Sequence, residues 1–153
     1  MSDNEQVALN EGADLAQQFE GYSSKPYRDP TGTWTIGYGS TRDVHGNAVT
    51  AHTPPITQAL AHGLMMRDLG SAFLTVESAV TQPLTVNEEA ALMDFVYNVG
   101  AGNFRSSTLL RLLNDGNYDA AAAEFAKWDL SKGRVLAGLV RRRAAEKALF
   151  EKS

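Results

Sequence analysis

Apolar residues at helical spacing mark the first segment of the chain. They are Val7, Ala8, Leu15 and Phe19. This pattern predicts an amphipathic helix over residues 5–19. Gly21 and the following segment SSKPY act as breakers, so we expect the helix to end there. Glu20 would therefore lie at or just past the last helical turn.

A different periodicity follows between residues 27 and 50. The segment TWTIGYG alternates large β-forming residues with Thr and Gly, which predicts a strand. The preceding segment DPTG is typical of a turn, and VHGNAV contains a second turn. Together these features predict a small antiparallel sheet.

The rest of the chain shows helical periodicity. Apolar positions from residue 56 to about residue 80 predict a connecting helix, although Gly63 and Gly70 leave open whether it is one helix or two. Further helices are predicted in the segments EEAALMDFVYNVG, SSTLLRLLNDG, DAAAAEFAKW and RVLAGLVRRRAAEKALF. The expected helix-start residues are Thr57, the TVNE capping box at 85–88, and Ser106 or Ser107.

This order of elements predicts an α+β fold, because one small sheet near the N-terminus is separate from a run of helices. We expect a single domain over residues 1–153. Its parts would be the helix 5–19 with a sheet lobe 20–55, a connecting helix 56–80, and a helical lobe 81–153.

Composition narrows the classes of protein. With 153 residues and 43% hydrophobic residues, the chain can bury a core. It has no cysteine, which excludes disulfides and thiolate chemistry. The polar N-terminal segment lacks the features of a signal peptide, and no run approaches about 18 apolar residues. We therefore expect synthesis in a cytoplasm and no stable insertion into a membrane.

The charge is unevenly distributed along the chain. Residues 127–153 hold eight basic and three acidic residues, a net charge of +5, whereas the first 126 residues carry −9. The basic end could face an anionic polymer or could simply be a solvated helix face. No aromatic residues are interleaved with the RRR run, so we expect no nucleic-acid partner.

Two carboxylates flank the predicted turn and suggest hydrolysis of a glycosidic bond. That reaction needs a general acid and a second carboxylate on the other side of the sugar. Glu20 lies beside apolar residues, and burial favours the protonated acid form of a carboxyl. Asp29 lies in a turn rich in backbone N–H groups, which favour the ionised form. The hydroxyl of Thr35, on the strand, could hold a water molecule.

Spacing alone does not decide between this chemistry and chance. Glu at a helix end and Asp in a Pro-Gly turn are both common for local reasons. The surrounding residues supply the further information.

Four stretches, FEG, YRDPTGTWTIGYG, NVGAGNFRSSTLLRLLN and W…GLVRRRAAE, together resemble the phage-type lysozymes, the muramidase endolysins of tailed bacteriophages. The resemblance covers about residues 9–151. It implies a two-lobed lysozyme-like fold with a cleft between the lobes. It also implies that Glu20, Asp29 and Thr35 are the catalytic residues, acting on the β-1,4 bond between N-acetylmuramic acid and N-acetylglucosamine in peptidoglycan.

Further residues are candidates for binding the glycan. The resemblance implies that Gly37 and Gly39 line the cleft floor, and that Asn98 faces the cleft across from Glu20. Tyr27 and Tyr38 could stack on sugar faces or belong to the core. The resemblance also implies an arginine partner for Glu20, and the sequence leaves open which of the residues 141–143 this is.

Mechanistic alternatives remain at this stage. Water attack opposite Glu20 implies inversion, with the Glu20 and Asp29 carboxyls about 6.5–9.5 Å apart, whereas about 5 Å would favour a retaining route. A lytic transglycosylase, a virion-associated lysozyme and a non-catalytic glycan-binding module are the alternatives in function.

The three histidines show no metal-ligand spacing, and we expect neither metal nor cofactor. We expect a monomer whose release from the host cytoplasm to the periplasmic wall depends on a holin.

Overall fold

The computed structural model describes residues 2–152 and contains seven helices and two small sheets within that range. The helices are α1 Asp3–Phe19, α2 Gln58–Ala79, α3 Val86–Val99, α4 Ala101–Arg105, α5 Thr108–Asn114, α6 Tyr118–Glu124 and α7 Ala137–Phe150. The strands are β1 Ser23–Arg28, β2 Trp34–Gly37, β3 Leu130–Ser131 and β4 Arg134–Val135. This mixture of helices with a small antiparallel sheet agrees with the predicted α+β class.

Side-chain caps fix the starts of most helices. The predicted capping box is present at α3, where the Thr85 hydroxyl accepts from the Glu88 N–H and the Glu88 carboxylate accepts from the Thr85 N–H. Thr57 caps α2, and Ser107 rather than Ser106 caps α5. Helix α2 runs unbroken for 22 residues through both of its glycines, because its packing against α1 and α3 outweighs their low helix propensity.

We expected the segment SSKPY only to end the first helix, but it also takes part in the sheet. It forms most of β1, which pairs antiparallel with β2. Pro26 is tolerated because the pairing register is irregular between Ser23 and Tyr27, where a missing backbone N–H breaks no regular ladder. The predicted turn in VHGNAV contributes only a single bridge, between Arg42 and Ala48.

The segment predicted as the last helix is divided. Its first residues form β4, which pairs with β3 as a two-residue hairpin. The turn residues Lys132 and Gly133 have φ angles of +51° and +77°, the left-handed conformation that such hairpins require. Helix α7 therefore begins only at Ala137. The segment DAAAAEFAKW is also split, into α6 and a short 3-10 turn at Phe125–Lys127.

The main core lies among the helices, and α1 belongs to it although it precedes the sheet in the chain. Helix α1 packs on α3 and also contacts α2 and α7. Phe95 on α3 makes edge-on contacts with Phe104, Phe125 and Trp128. A second, smaller cluster of Ile36, Val49 and Leu64 joins the sheet to α2. Consequently the end of α1 is held where the sheet lobe meets the helices.

Within residues 2–152, each helix is too short or too polar to cross a lipid bilayer.

Candidate active site

Glu20 is the residue that ends α1. Its backbone is extended, with φ −98° and ψ 123°, while its N–H still bonds to the Ala16 carbonyl. The side chain thereby leaves the helix axis at the junction between the two lobes. Only 19% of this side chain is exposed, and Oε1 accepts a hydrogen bond of 2.6 Å from Nη1 of Arg142.

Arg142 is therefore the arginine that sequence alone left unresolved. Its Nε and Nη2 atoms donate to the two carboxylate oxygens of Asp94 on α3, at 2.9 and 2.7 Å. Such a bidentate pair fixes the plane of the guanidinium group, which leaves Nη1 directed at Glu20. The guanidinium carbon also lies 5.8 Å from the ring centroid of Phe19. Asp94 was missed by sequence reasoning, although a carboxylate inside the apolar run LMDFV was a usable signal.

Gly39 lies directly against the Glu20 carboxyl group. A methyl group added at this glycine would lie 2.9 Å from Glu20 Oε2 and 3.3 Å from Cδ. The φ angle of Gly39 is +104°, which also disfavours any residue with a side chain. The backbone at Gly39 therefore forms one wall of the pocket that holds the carboxyl.

Asp29 lies in the turn between β1 and β2. Its Oδ1 accepts hydrogen bonds from the Thr31 N–H at 2.9 Å, the Thr31 hydroxyl at 2.6 Å and the Thr33 N–H at 2.9 Å. Burial raises the pKa of Asp29, but the hydrogen bonds from the Thr31 hydroxyl and from the backbone outweigh it, so the pKa is lowered overall. None of the three bonds ends on Oδ2. The turn thus holds an ionised carboxylate by one oxygen.

Thr35 and Tyr27 face each other across the sheet. They are partners in the register of β1 and β2. Thr35 is buried, and its hydroxyl donates to the Thr33 carbonyl at 2.9 Å, so a water molecule could only donate to this oxygen. Tyr27 is 37% exposed. Its pKa is raised by burial and then by the negative charges of Glu20 and Asp29, which places the phenol within electrostatic reach of both carboxylates.

A cavity of about 400 Å³ lies between the Asp29 turn and the helical lobe. Asp29 and Thr31 line one side, and Asn98 lines the other. Trp128 and Lys132 also line it, and both were missed, because their approach depends on the β3–β4 hairpin that the sequence pattern did not predict. A second cavity, of about 240 Å³, lies beside Gly39 on the face formed by α2 and α3.

Two candidate residues, Gly37 and Tyr38, are not among those that line these two cavities. Gly37 is buried against α2, where an added methyl group would lie 3.1 Å from Cβ of Ala61. Tyr38 is only 4% exposed, its hydroxyl accepts from Gln58 at 2.8 Å, and its ring packs on Tyr22. Close packing of the sheet on α2 accounts for the positions of both residues, and their contact with the glycan stays a prediction.

Similarity to known proteins extends over most of the chain. The family model described as "Phage lysozyme" matches residues 17–146. An endolysin of Acyrthosiphon pisum secondary endosymbiont phage 1 is 39% identical over 146 residues, covering 92% of this chain and 94% of the relative.

Two solved structures are similar over most of the chain. An endolysin from Escherichia coli O157:H7 phage FAHEc1 has a TM-score of 0.80 at 31% identity, covering 93% of this chain and 91% of that one. The muramidase domain of SpmX from Asticaccaulis excentricus has a TM-score of 0.78 at 34% identity, covering 93% and 95%. On the family match, the relatives and the shared fold, this chain belongs to the phage lysozyme family.

Proposed function

We propose that Glu20, Asp29 and Thr35 together hydrolyse the β-1,4 bond between N-acetylmuramic acid and N-acetylglucosamine. Membership of the phage lysozyme family and the likeness to phage endolysins make the chain a peptidoglycan-degrading glycoside hydrolase. The roles of individual residues are our proposal. The observation that most supports them is the combination of one enclosed carboxyl and one turn-held carboxylate, both within electrostatic reach of the Tyr27 phenol.

Glu20 would act as the general acid on the leaving oxygen. It is largely enclosed between Arg142 and the backbone of Gly39, so its carboxyl has little freedom to rotate away. A general acid must be held within hydrogen-bond reach of the oxygen that it protonates. The hydrogen bond from Arg142 positions Oε1, and this leaves Oε2 as the oxygen that would carry the proton to the substrate.

Asp29 and Thr35 would position the attacking water. Since the three hydrogen bonds from Thr31 and Thr33 end on Oδ1, Oδ2 of Asp29 is the oxygen available to accept from a water molecule. The Thr35 hydroxyl already donates its hydrogen bond to the Thr33 carbonyl. Its oxygen would therefore accept a hydrogen bond from the second O–H of that water. A water fixed in this way attacks from the face opposite Glu20, which gives inversion at the anomeric carbon.

The glycan would lie along the cavity beside the Asp29 turn and the cavity beside Gly39, the residue that contacts the Glu20 carboxyl. Asn98 and the turn at Asp29 border one of them, and Gly39 borders the other. Tyr27, which is partly exposed beside both carboxylates, is our candidate for contact with a sugar ring. We therefore keep Tyr27, Gly39 and Asn98 as proposed substrate contacts.

The test of the acid is Glu20→Gln, with Glu151→Gln as a control because Glu151 is exposed at the end of α7. The first variant should lose at least about 100-fold in lysis of purified cell walls, since general acid catalysis contributes about that much. Its urea unfolding midpoint should stay near that of the control. Near-normal lysis by Glu20→Gln would show that Glu20 is not the acid.

Product analysis separates hydrolysis from the alternative of a lytic transglycosylase. Muropeptides with reducing N-acetylmuramic acid ends indicate hydrolysis, whereas anhydro ends indicate transglycosylation. The initial anomer, followed by NMR, should be the inverted one, and Asp29→Asn should lower the rate without producing anhydro ends. The absence of any wall clearing would instead favour a non-catalytic glycan-binding module.

We also propose that the protein acts as a monomer and reaches the wall through a membrane-permeabilising partner such as a holin. Expression in Gram-negative cells should cause lysis only when the inner membrane is opened by such a partner. Lysis without it would show an independent route of export, and light scattering of the purified protein tests the oligomeric state.

A further inference from the structure

A buried carboxylate on α3, that of Asp94, shares the guanidinium group of Arg142 with Glu20. Asp94 interrupts the apolar run ALMDFVY, and its side chain is completely buried. An ionised carboxylate in such a place is strongly disfavoured unless it is paired. Both oxygens of Asp94 accept from the same guanidinium group, from Nε at 2.9 Å and from Nη2 at 2.7 Å.

Arg142 contacts the two carboxyl groups with different atoms. Nε and Nη2 donate to Asp94, whereas Nη1 donates to Oε1 of Glu20 at 2.6 Å. Burial would lower the pKa of Arg142, but the hydrogen bonds and the charge of Asp94, followed by those of Glu20, outweigh it and raise the pKa overall. Asp94 is therefore the principal partner of Arg142, and Glu20 is the second.

An arginine beside a general acid creates a conflict that Asp94 resolves. A positive charge within about 4–6 Å favours the ionised form of a carboxyl, whereas a general acid must hold a proton. Arg142 lies within that distance of Glu20. When a carboxylate lies against the same guanidinium group, the two opposite charges largely cancel at a third group. The N–H of Nη1 can still donate to a protonated carboxyl, because such a carboxyl keeps an oxygen that accepts.

We propose that Asp94 is a positioning residue for the active site, which directs Arg142 at Glu20 and cancels the charge of the arginine, so that Glu20 is held in place and still keeps its proton. The proposal rests on the role given above to Glu20. The orientation follows from the bidentate contact, because it fixes the plane of the guanidinium group. The cancellation follows from burial, because water does not screen the charge of a carboxylate that is completely enclosed.

Other titratable groups lie on each element around Glu20. They are Tyr27 and Asp29 from the sheet lobe, Asp68 from α2, Tyr97 from α3, and Arg143 and Glu146 from α7. Those hydrogen-bonded to partners of their own are Asp68 with Ser40, Tyr97 with the Tyr38 carbonyl, and Arg143 with Glu146. Within residues 2–152, Arg142 is the one cation that is paired with Glu20. The charge of Arg142 is thus the one that a partner has to cancel.

The pH profile of kcat/KM for wall lysis tests the cancellation. Asp94→Asn keeps the shape of the side chain and removes its charge, so the charge of Arg142 acts fully on Glu20. The basic limb of the profile, where the acid loses its proton, should move to lower pH by about one unit, which lowers lysis on that limb about tenfold. Asp14→Asn is the matched control, because it changes the net charge equally at an exposed position of α1. The control should leave the limb in place.

Removing the arginine should have the opposite effect. Arg142→Gln leaves the charge of Asp94 beside Glu20, so the basic limb should move to higher pH. In the double variant Asp94→Asn/Arg142→Gln both charges are absent, and the limb should return to its wild-type position although the rate stays low. If Asp94 had only a structural role, Asp94→Asn would lower the rate by the same factor at every pH, and this result would overturn the proposal.

The double variant also decides the matter if a single variant does not fold. It removes both members of a buried pair together, so it leaves no unpaired charge in the interior. If Asp94 did not cancel Arg142, loss of both would move the basic limb to higher pH, and that movement would contradict the proposal. Failure of the proposed acid is distinguishable, because Glu20→Gln would then keep normal lysis. Loss of lysis in Glu20→Gln together with an unmoved limb in Asp94→Asn would reject only the role of Asp94.

Discussion

Gly39→Ala should separate catalysis from stability at this site. The added methyl group would lie 2.9 Å from Oε2 of Glu20, and the displaced group is the end of a side chain rather than backbone. The carboxyl would therefore move by about 0.5 Å to reach ordinary van der Waals contact at 3.4 Å. Since a misplacement of about 1 Å lowers rates by about 100-fold, we expect a loss of about tenfold. The φ angle of +104° adds backbone strain of about 1–2 kcal/mol in the free energy of unfolding.

Gly46→Ala provides the matched control. Its φ angle is +81°, but nothing lies within 4 Å of the added methyl group. It should show the strain without the displacement, with the melting temperature lowered by about 2–8 °C and lysis of purified walls unchanged. We would measure the turbidity decrease of wall suspensions and thermal unfolding for both variants. If Gly39→Ala lost stability like the control but kept wild-type lysis, Gly39 would not confine the Glu20 carboxyl.

Three further predictions concern groups around the site and in the core. Since the pKa of Asp29 is lowered on folding, its ionised form contributes stability above the unfolded pKa that is lost as pH falls through the folded one. Thr31→Val removes the hydroxyl that donates to Asp29, so NMR titration should show a higher pKa for Asp29. The acid limb of the pH profile for the lysis rate should move to higher pH. If that limb does not move, Asp29 is not the titrating base. Glu89 binds a proton in the folded state up to a pKa of about 8, so stability should fall between about pH 4.5 and 8. Glu89→Gln should remove this pH dependence and raise the free energy of unfolding at pH 8 by about 1 kcal/mol, a value reduced for solvent exposure. An equal increase at pH 4 would contradict the reasoning. Tyr97→Phe leaves the buried Tyr38 carbonyl without its 2.7 Å donor and should lower the free energy of unfolding in urea by about 1–3 kcal/mol; no loss would mean that this bond is replaced.

Sequence patterns predicted the positions of residues whose placement is determined by the neighbouring few residues of the chain. Glu20 was expected at a helix end because apolar periodicity stops at Phe19 and Gly21 follows, and it lies there. The Asp29 turn was likewise readable from its Pro-Gly composition. These features are determined within a few residues of chain, so a sequence contains what is needed to predict them.

Features that depend on distant contacts could not be predicted in this way. Gly37 and Gly39 both have positive φ angles, yet one faces α2 and the other faces Glu20, and only the packed sheet distinguishes them. Strand β1 has a composition that disfavours strands and forms because β2 pairs with it. Which of the arginines 141–143 contacts Glu20 depends on the angle at which α7 crosses α3. That angle places Arg142 beside Asp94.

The ion pair between Glu20 and Arg142 joins residues 122 positions apart. On the ribosome, both carboxylates of the cleft therefore emerge long before the arginine that orients one of them. Until α7 is synthesised and docks, α3 lacks one of its packing partners and Glu20 lacks the hydrogen bond from Arg142. The order of translation thus places the proposed catalytic residues in the nascent chain before the helix that fixes Glu20 is made, so such chains contain these residues without yet having their arrangement.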